Sequence, residues 1–199
     1  EGGKIAVAGI KTFNEISIVD LEKKSVSDMA IGFNPKKLKF SNDSKKAFAI
    51  TDFDIAIVDL ETASLRSVPF STDPLVTIQP LQVEVNSTGT YAFILPRDKS
   101  QVRAMDLATG TVTIILPDPK PAGIRLSPDD SIVLVTHPTT LSTFSQIQAA
   151  PPFTLTKLTV PGQISIDTFE FSPDGKKAVL FGASTNTELL SVYKTKEGT

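Results

Sequence analysis

Four segments of this chain can be laid over one another without a gap, and that repetition limits the fold more than any other feature of the sequence. They are KLKFSNDSKKAFAI from Lys37, QVEVNSTGTYAFIL from Gln82, GIRLSPDDSIVLVT from Gly123 and TFEFSPDGKKAVLF from Thr168. Their starts lie 45, 41 and 45 residues apart. Each reads as a strand with period-2 apolar alternation, a turn rich in Ser, Asn, Pro, Asp and Gly, and a second strand, which is the pattern of a hairpin. In Ser172-Pro173-Asp174-Gly175, proline presets φ and glycine accepts positive φ, as a tight turn requires.

A second motif falls between the hairpins: ISIVDLEKKSV from Ile16, IAIVDLETASL from Ile55 and VRAMDLATGTV from Val102, with a degraded copy, LLSVYKTKEGT, from Leu189. Each is a strand, an Asp-Leu step into a polar turn, and a further strand. The expected copy between them is faint in SQIQAAPPFTLTKL from Ser145, where Pro151 and Pro152 are expected to interrupt pairing and mark a sheet edge. Hairpin plus hairpin gives four antiparallel strands per module of about 44 residues, and no segment has sustained helical periodicity. The chain is therefore expected to hold 16 to 19 strands and no helix of more than two turns.

Modules of four strands fit radial repetition, in which each sheet packs its faces on neighbouring sheets: a β-propeller. Apolar pairs recur in every first strand, at Leu38 and Phe40, Val83 and Val85, Ile124 and Leu126, Phe169 and Phe171. Phe40, Val85, Leu126 and Phe171 are expected to be equivalently buried between sheets. The second strands, such as Ala178-Val179-Leu180-Phe181, are almost continuously apolar and suit burial on both faces. A two-sheet sandwich with one wet face per sheet would alternate more cleanly. The fold class is all-β, a propeller of four-stranded antiparallel blades spanning residues 1–199 as a single domain or part of one.

The runs DLETA, DLATG and FSPDGKKAVLF resemble the YVTN repeat of bacterial and archaeal surface propellers and of the seven-bladed lactonase-like propellers. The resemblance covers nearly the whole chain and is specific for architecture, not activity. It implies a ring of seven blades, whereas this chain has room for four to five, so it fits either part of a larger ring or a smaller ring of about five. Its first three strands, near Lys4 to Gly9, Glu15 to Leu21 and Ser25 to Ala30, make one partial blade, and its last, Glu188 to Lys194, belongs to another. The termini are thus expected in different three-stranded blades, with an open edge available for self-association or blunted by the charged Lys194 to Glu197 tail.

Composition narrows the chemistry. The formal net charge is -2 with Lys and Arg scattered, so there is no basic footprint for nucleic acid or an anionic membrane. No apolar run approaches the roughly 20 residues that span a bilayer. With no cysteine and one histidine, thiolate and histidine-rich metal sites cannot be built from one copy of the chain, and no cofactor is expected. Absence of cysteine fits a reducing cytoplasm or an exported bacterial protein, and the surface-protein resemblance favours an extracytoplasmic location.

Four charged residues stand at one repeat position between the paired apolar residues: Lys39, Glu84, Arg125 and Glu170. If the first strand of each module is innermost, they form an arc of alternating sign near the central channel. They read as inter-blade ion pairs or, functionally, as a channel mouth for a small polar ligand. Asp52 with Asp54, Asp129 with Asp130, and Asp118 could offer oxygen to calcium, but none has an EF-hand spacing and turn chemistry accounts for them. His137, at the end of a second strand, reads as a loop histidine lacking an evident nucleophile or orienting acid. The triplets at Asn42 and Asn86 fall in turns and read as turn chemistry instead of glycan acceptors. The function this supports is a non-enzymatic propeller scaffold presenting loops for an unidentified protein or small ligand, as at a bacterial cell envelope. The alternative is a lactonase-like hydrolase with part of its site outside this chain; a third reading is structural stacking within a multidomain protein.

Overall fold

The computed structural model describes residues 5–10, 14–73, 75–98, 100–117, 120–137, 139–162, 165–182 and 190–195. Among them are 18 strands and no helix. The first sheet is β1 (Ile5–Ile10), β2 (Glu15–Asp20) and β3 (Ser25–Ala30). The second is β4 (Lys37–Phe40), β5 (Lys46–Ile50), β6 (Asp54–Asp59) and β7 (Ser64–Pro69). The third is β8 (Pro80–Val85), β9 (Tyr91–Pro96), β10 (Val102–Asp106) and β11 (Val112–Ile115). The fourth is β12 (Gly123–Leu126), β13 (Ile132–Thr136), β14 (Thr143–Gln148) and β15 (Leu155–Thr159). The fifth is β16 (Thr168–Phe171), β17 (Lys177–Phe181) and β18 (Ser191–Lys194). Each is a meander with strands ordered as in the sequence, so the first strand of every sheet is an edge. The ends of the described chain fall in two separate three-stranded sheets, as the repeat count predicts.

The hairpin turns share one construction. The turn residue with positive φ is Ser44 (56°), Gly89 (67°), Asp130 (57°) and Gly175 (69°), at the same repeat position each time. The backbone closes behind it through Ser41 N to Lys46 O, Asn86 N to Tyr91 O, Ser127 N to Ile132 O and Ser172 N to Lys177 O, all at 2.9–3.0 Å. The Asp-Leu turns are equally uniform. Asp20 Oδ1 accepts from Glu22 N and Lys23 N, and Asp59 Oδ1 accepts from Glu61 N and Thr62 N, at 2.8–3.0 Å. Their left-handed residue is Lys24, Ala63 or Gly110. A short polar side chain that binds the backbone two residues on is what fixes such a turn.

The chain divides into two compact units. One is Glu1–Pro80 with Ser87–Thr90 and Leu107–Gly110; the other is Leu81–Asn86, Tyr91–Asp106 and Thr111–Thr199. In the first unit Ile16, Ala47, Ala49, Ala56 and Val58 form a buried cluster that Ile18, Met29 and Leu38 flank. The fully buried ring of Phe48 lies where a Cβ on Gly89 would point. In the second unit, residues of the third and fourth sheets such as Phe93, Val102, Leu126, Val135 and Phe153 make one cluster. A further one joins the fourth and fifth sheets through Leu134, Phe144, Phe169, Leu180 and Tyr193.

Two sequence expectations need correction. Val85 and Leu126 are buried, but Phe40 is 37% exposed and Phe171 half-buried. Phe40 shares a face with Leu38, which packs toward the three-stranded first sheet, and Phe171 belongs to the three-stranded fifth sheet. Phe171 is partly buried against the cluster between the fourth and fifth sheets, in which Phe169 on the same face of β16 is 2% exposed. Pro151 and Pro152, joined by a cis peptide, do not interrupt pairing: they sit in the turn between β14 and β15, whose ladder runs unbroken from Thr143↔Thr159 to Ile147↔Leu155. Lacking an N–H, the prolines occupy the turn, where the ladder does not need their donors.

Candidate functional site

The charged repeat position lies on edge strands. Lys39 is half-buried on β4 in the first unit. In the second unit Glu84 is half-buried on β8, while Arg125 on β12 and Glu170 on β16 are exposed. Arg125 Nη2 and Glu170 Oε1 stand 3.7 Å apart. That solvent-exposed ion pair joins the first strands of the fourth and fifth sheets, and it is worth at most about 1 kcal/mol. The third and fourth sheets are joined differently: Ile124 N donates to Gln82 Oε1 at 2.6 Å. A Cβ on Gly123 would press on Thr136 Oγ1 of β13 while meeting Gln82 Oε1 at ordinary contact distance. The sequence reading passed over Gln82 because its role is to meet a backbone amide 42 residues away, and local alternation carries no trace of that. Of the four candidates, then, Arg125 and Glu170 are brought together, on an edge-strand surface open to water.

His137 lies in the connection between β13 and β14, as a loop histidine would, but it is not at the surface. It is 0% exposed, with Nε2 2.8 Å from the hydroxyl of Ser145, itself 1% exposed, and Nδ1 3.2 Å from the carbonyl of Lys120. A carbonyl can only accept, so Nδ1 carries a proton, and in the neutral ring Nε2 accepts from Ser145 Oγ. A histidine accepting from a serine hydroxyl has the geometry of a base and its nucleophile. Both members are sealed from solvent, and the far ring nitrogen faces a carbonyl and not an acid. The pair thus ties the residue after β13 to β14. Its burial depends on how strands pack beside it, and the one-dimensional pattern is blind to that.

The candidate oxygen ligands are engaged in local structure. Asp52 pairs with Lys36 and accepts from Asn34 Nδ2 at 2.7 Å, and Asp54 accepts from the hydroxyls of Thr51 and Ser67. Asp129 accepts from the hydroxyls of Ser127 and Ser131, both at 2.7 Å, and Asp130 supplies the left-handed turn residue. Asp118 lies outside the described residues. Among the described residues no three His, Asp or Glu side chains converge as a metal site would need. Asn86 is buried with Oδ1 accepting from Tyr91 N at 2.9 Å, a turn role. Electrostatics agree. Hydrogen bonds hold four turn carboxyls below the usual range: the backbone amide of Lys23 for Asp20 and of Thr62 for Asp59, and the hydroxyls of Ser41 for Asp43 and Ser172 for Asp174. Burial lowers the basicity of the Arg103 guanidinium, and the charge of Asp98 opposes that shift.

One loop pair stands out instead. Phe33, between β3 and β4, and Phe53, between β5 and β6, are both exposed, with ring centroids 6.3 Å apart and planes tilted by 33°. Their loops are tied together by Asp52 N to Phe33 O at 3.1 Å and the Asn34–Asp52–Lys36 network, and Asn34 N to Asn14 Oδ1 at 2.9 Å ties the first of them to the β1–β2 turn. Asn34 itself adopts a left-handed φ of 59°. No sequence motif announces the pair, since its members are 20 residues apart on different strand connections.

Comparison with known proteins places the fold. No family profile matches the chain, and no curated sequence does. Among solved structures it is similar to dihydro-heme d1 dehydrogenase NirN in complex with DHE, at TM-score 0.71 and 14% identity over 98% of this chain and 42% of that one. It is similar also to Kuenenia stuttgartiensis hydrazine synthase, at 0.64 and 16% over 98% and 62%. Hsv2 of Kluyvelomyces marxianus matches at 0.65 and 12% over 96% and 56%. The chain thus spans less than two thirds of each of these neighbours. At such identities the likeness carries the fold and not the activity. Repeated four-stranded antiparallel meanders, uniform turns and these neighbours together make the chain an all-β protein of β-propeller type, with the extent of a partial propeller.

Proposed function

We propose that this protein is a binding scaffold whose loops, held rigid by propeller-type sheets, engage a protein partner at a bacterial cell envelope. The observation that carries this is the exposed Phe33–Phe53 pair on hydrogen-bonded loops. Aromatic rings supply most of the energy of many protein interfaces, and loops already ordered lose less entropy on binding. The envelope location and the YVTN-type kinship rest on the repeat's likeness to surface propellers. A lactonase-like hydrolase finds less support, because the His137–Ser145 pair is closed to solvent. Within the second unit, the edge strands carrying Arg125, Glu170, Glu84 and Gln82 are where this reading puts a small polar ligand.

Photo-cross-linking tests the proposal. A benzophenone side chain replaces Phe33 or Phe53 in the cells that make the protein, with the exposed Ile114 of β11 as the control position. Discrete cross-linked products from positions 33 and 53 and none from 114 are expected. Equal products at all three, or none at 33 and 53, overturn the reading.

A further inference from the structure

At one end of the second sheet, where the connection into β4, the β5–β6 connection and the exit from β7 meet, the exposed apolar surface extends beyond the aromatic pair. The segment leaving β7 begins at Phe70, which is 1% exposed and whose N–H donates to Phe53 O at 2.9 Å. It then turns sharply. Leu75 N donates to Asp73 Oδ1 at 2.9 Å, Val76 N to Asp73 O at 3.1 Å, and Asp73 N to Ser71 Oγ at 3.2 Å. That ordered turn holds Leu75 at 92% exposure and Val76 at 46%. The turns at the other end of the sheet expose Asn42, Asp43, Lys45, Glu61 and Thr62 instead. Large apolar side chains gathered in water on hydrogen-bonded loops mark an interaction surface.

Charge says what kind of partner fits. At this end Asp52, Asp54 and Asp73 outnumber Lys36 and Lys37, and Lys36 is paired with Asp52. Asp54, next to Phe53, accepts from the hydroxyls of Thr51 and Ser67, and Asp73, two residues before Leu75, accepts from a backbone amide. Neither of these two carboxylates pairs with a cation among the described residues. Asp73 is exposed and Asp54 half-buried, so both can be reached from solvent. An anionic lipid surface is repelled by such a rim, whereas a polypeptide that offers apolar side chains beside Lys or Arg complements it.

We infer that the loop end of the first unit formed by Phe33, Phe53, Leu75 and Val76 docks a segment of a partner protein that carries Lys or Arg beside apolar side chains. The apolar side chains of that segment cover Leu75 and the two rings, and its cations meet Asp54 and Asp73. The inference rests on the binding role proposed for the Phe33–Phe53 pair and adds to it the chemistry of the partner. Because the turn at Asp73 is already hydrogen-bonded, docking orders little that is not ordered beforehand.

The test titrates a short synthetic peptide of alternating Leu and Lys into the protein, beside versions with Ser or Glu in place of Lys, and reads binding by fluorescence anisotropy and amide chemical shifts. The Lys peptide is expected to bind, to shift the amides of residues 33, 53, 73 and 75, and to lose its binding in Leu75→Ser. Asp54→Asn combined with Asp73→Asn keeps the oxygens that accept the local hydrogen bonds, and should weaken binding about tenfold. No binding of the Lys peptide, equal binding of the Ser or Glu peptide, or indifference to these substitutions overturns the basic partner. Cross-links from positions 33 and 53 would stand in that event, so this failure is distinct from failure of the scaffold reading. Phosphatidylglycerol vesicles bound through Leu75 overturn it in favour of a lipid surface. A dimer in sedimentation that Leu75→Ser dissociates overturns it in favour of a second copy.

Discussion

Replacing Gly89 by alanine tests the packing of the first unit most directly. Gly89 is the left-handed residue of its hairpin turn, at φ 67°, and a Cβ there would be driven into the ring of Phe48. An alanine in that conformation costs about 1 kcal/mol through the backbone alone. The ring cannot step aside cheaply, because Phe48 is fully buried on β5, and forcing extra volume into a packed site costs a further ~1–3 kcal/mol. Gly110 is the matched control: its φ is 76°, yet nothing lies within 4 Å of where its Cβ would be. Gly110→Ala should therefore show the backbone cost alone, about 1 kcal/mol. Urea unfolding followed by far-UV circular dichroism is the assay, and Gly89→Ala should lose about 2–4 kcal/mol against wild type. Equal losses for the two variants would refute the close approach of Phe48, and a neutral Gly89→Ala would refute the turn geometry itself.

Three further outcomes follow from the same structure. Asp20, Asp43, Asp59 and Asp174 have folded pKa values below their unfolded ones, so their stabilisation is present above about pH 4 and is lost as pH falls through the depressed values. Asp59→Asn should flatten that acid limb of the urea midpoint against pH, and an unchanged slope would count against the turn hydrogen bonds. His137→Ala should cost about 2–4 kcal/mol in urea, since it opens a cavity and strands Ser145 Oγ and the Lys120 carbonyl; a change below about 0.5 kcal/mol would place the ring at the surface instead. A double-mutant cycle of Arg125→Gln and Glu170→Gln should give a coupling of no more than about 1 kcal/mol that fades with salt, whereas a coupling well above that would mean the pair is shielded from water.

The sequence by itself determined the modules, their order and their turns, because hairpins are local. Period-2 alternation sets which side of a strand is apolar, and the turn dipeptides set where the chain reverses. Even the left-handed positions are legible at Gly89, Gly110 and Gly175, and by alignment at Ser44, Ala63 and Asp130. The partial sheets at both ends follow from counting the same modules. Only the tertiary structure decided what lies between sheets, since that depends on a neighbour some 40 residues away. Phe40 and Leu126 are equivalent in sequence, yet one faces a three-stranded sheet and stays partly wet while the other is covered. His137 reads as a loop residue and is enclosed, its two nitrogens satisfied by groups 8 and 17 residues distant. Gln82 and the Phe33–Phe53 pair arise in the same way, from segments that sheet packing brings together after each hairpin's own pattern has done its part.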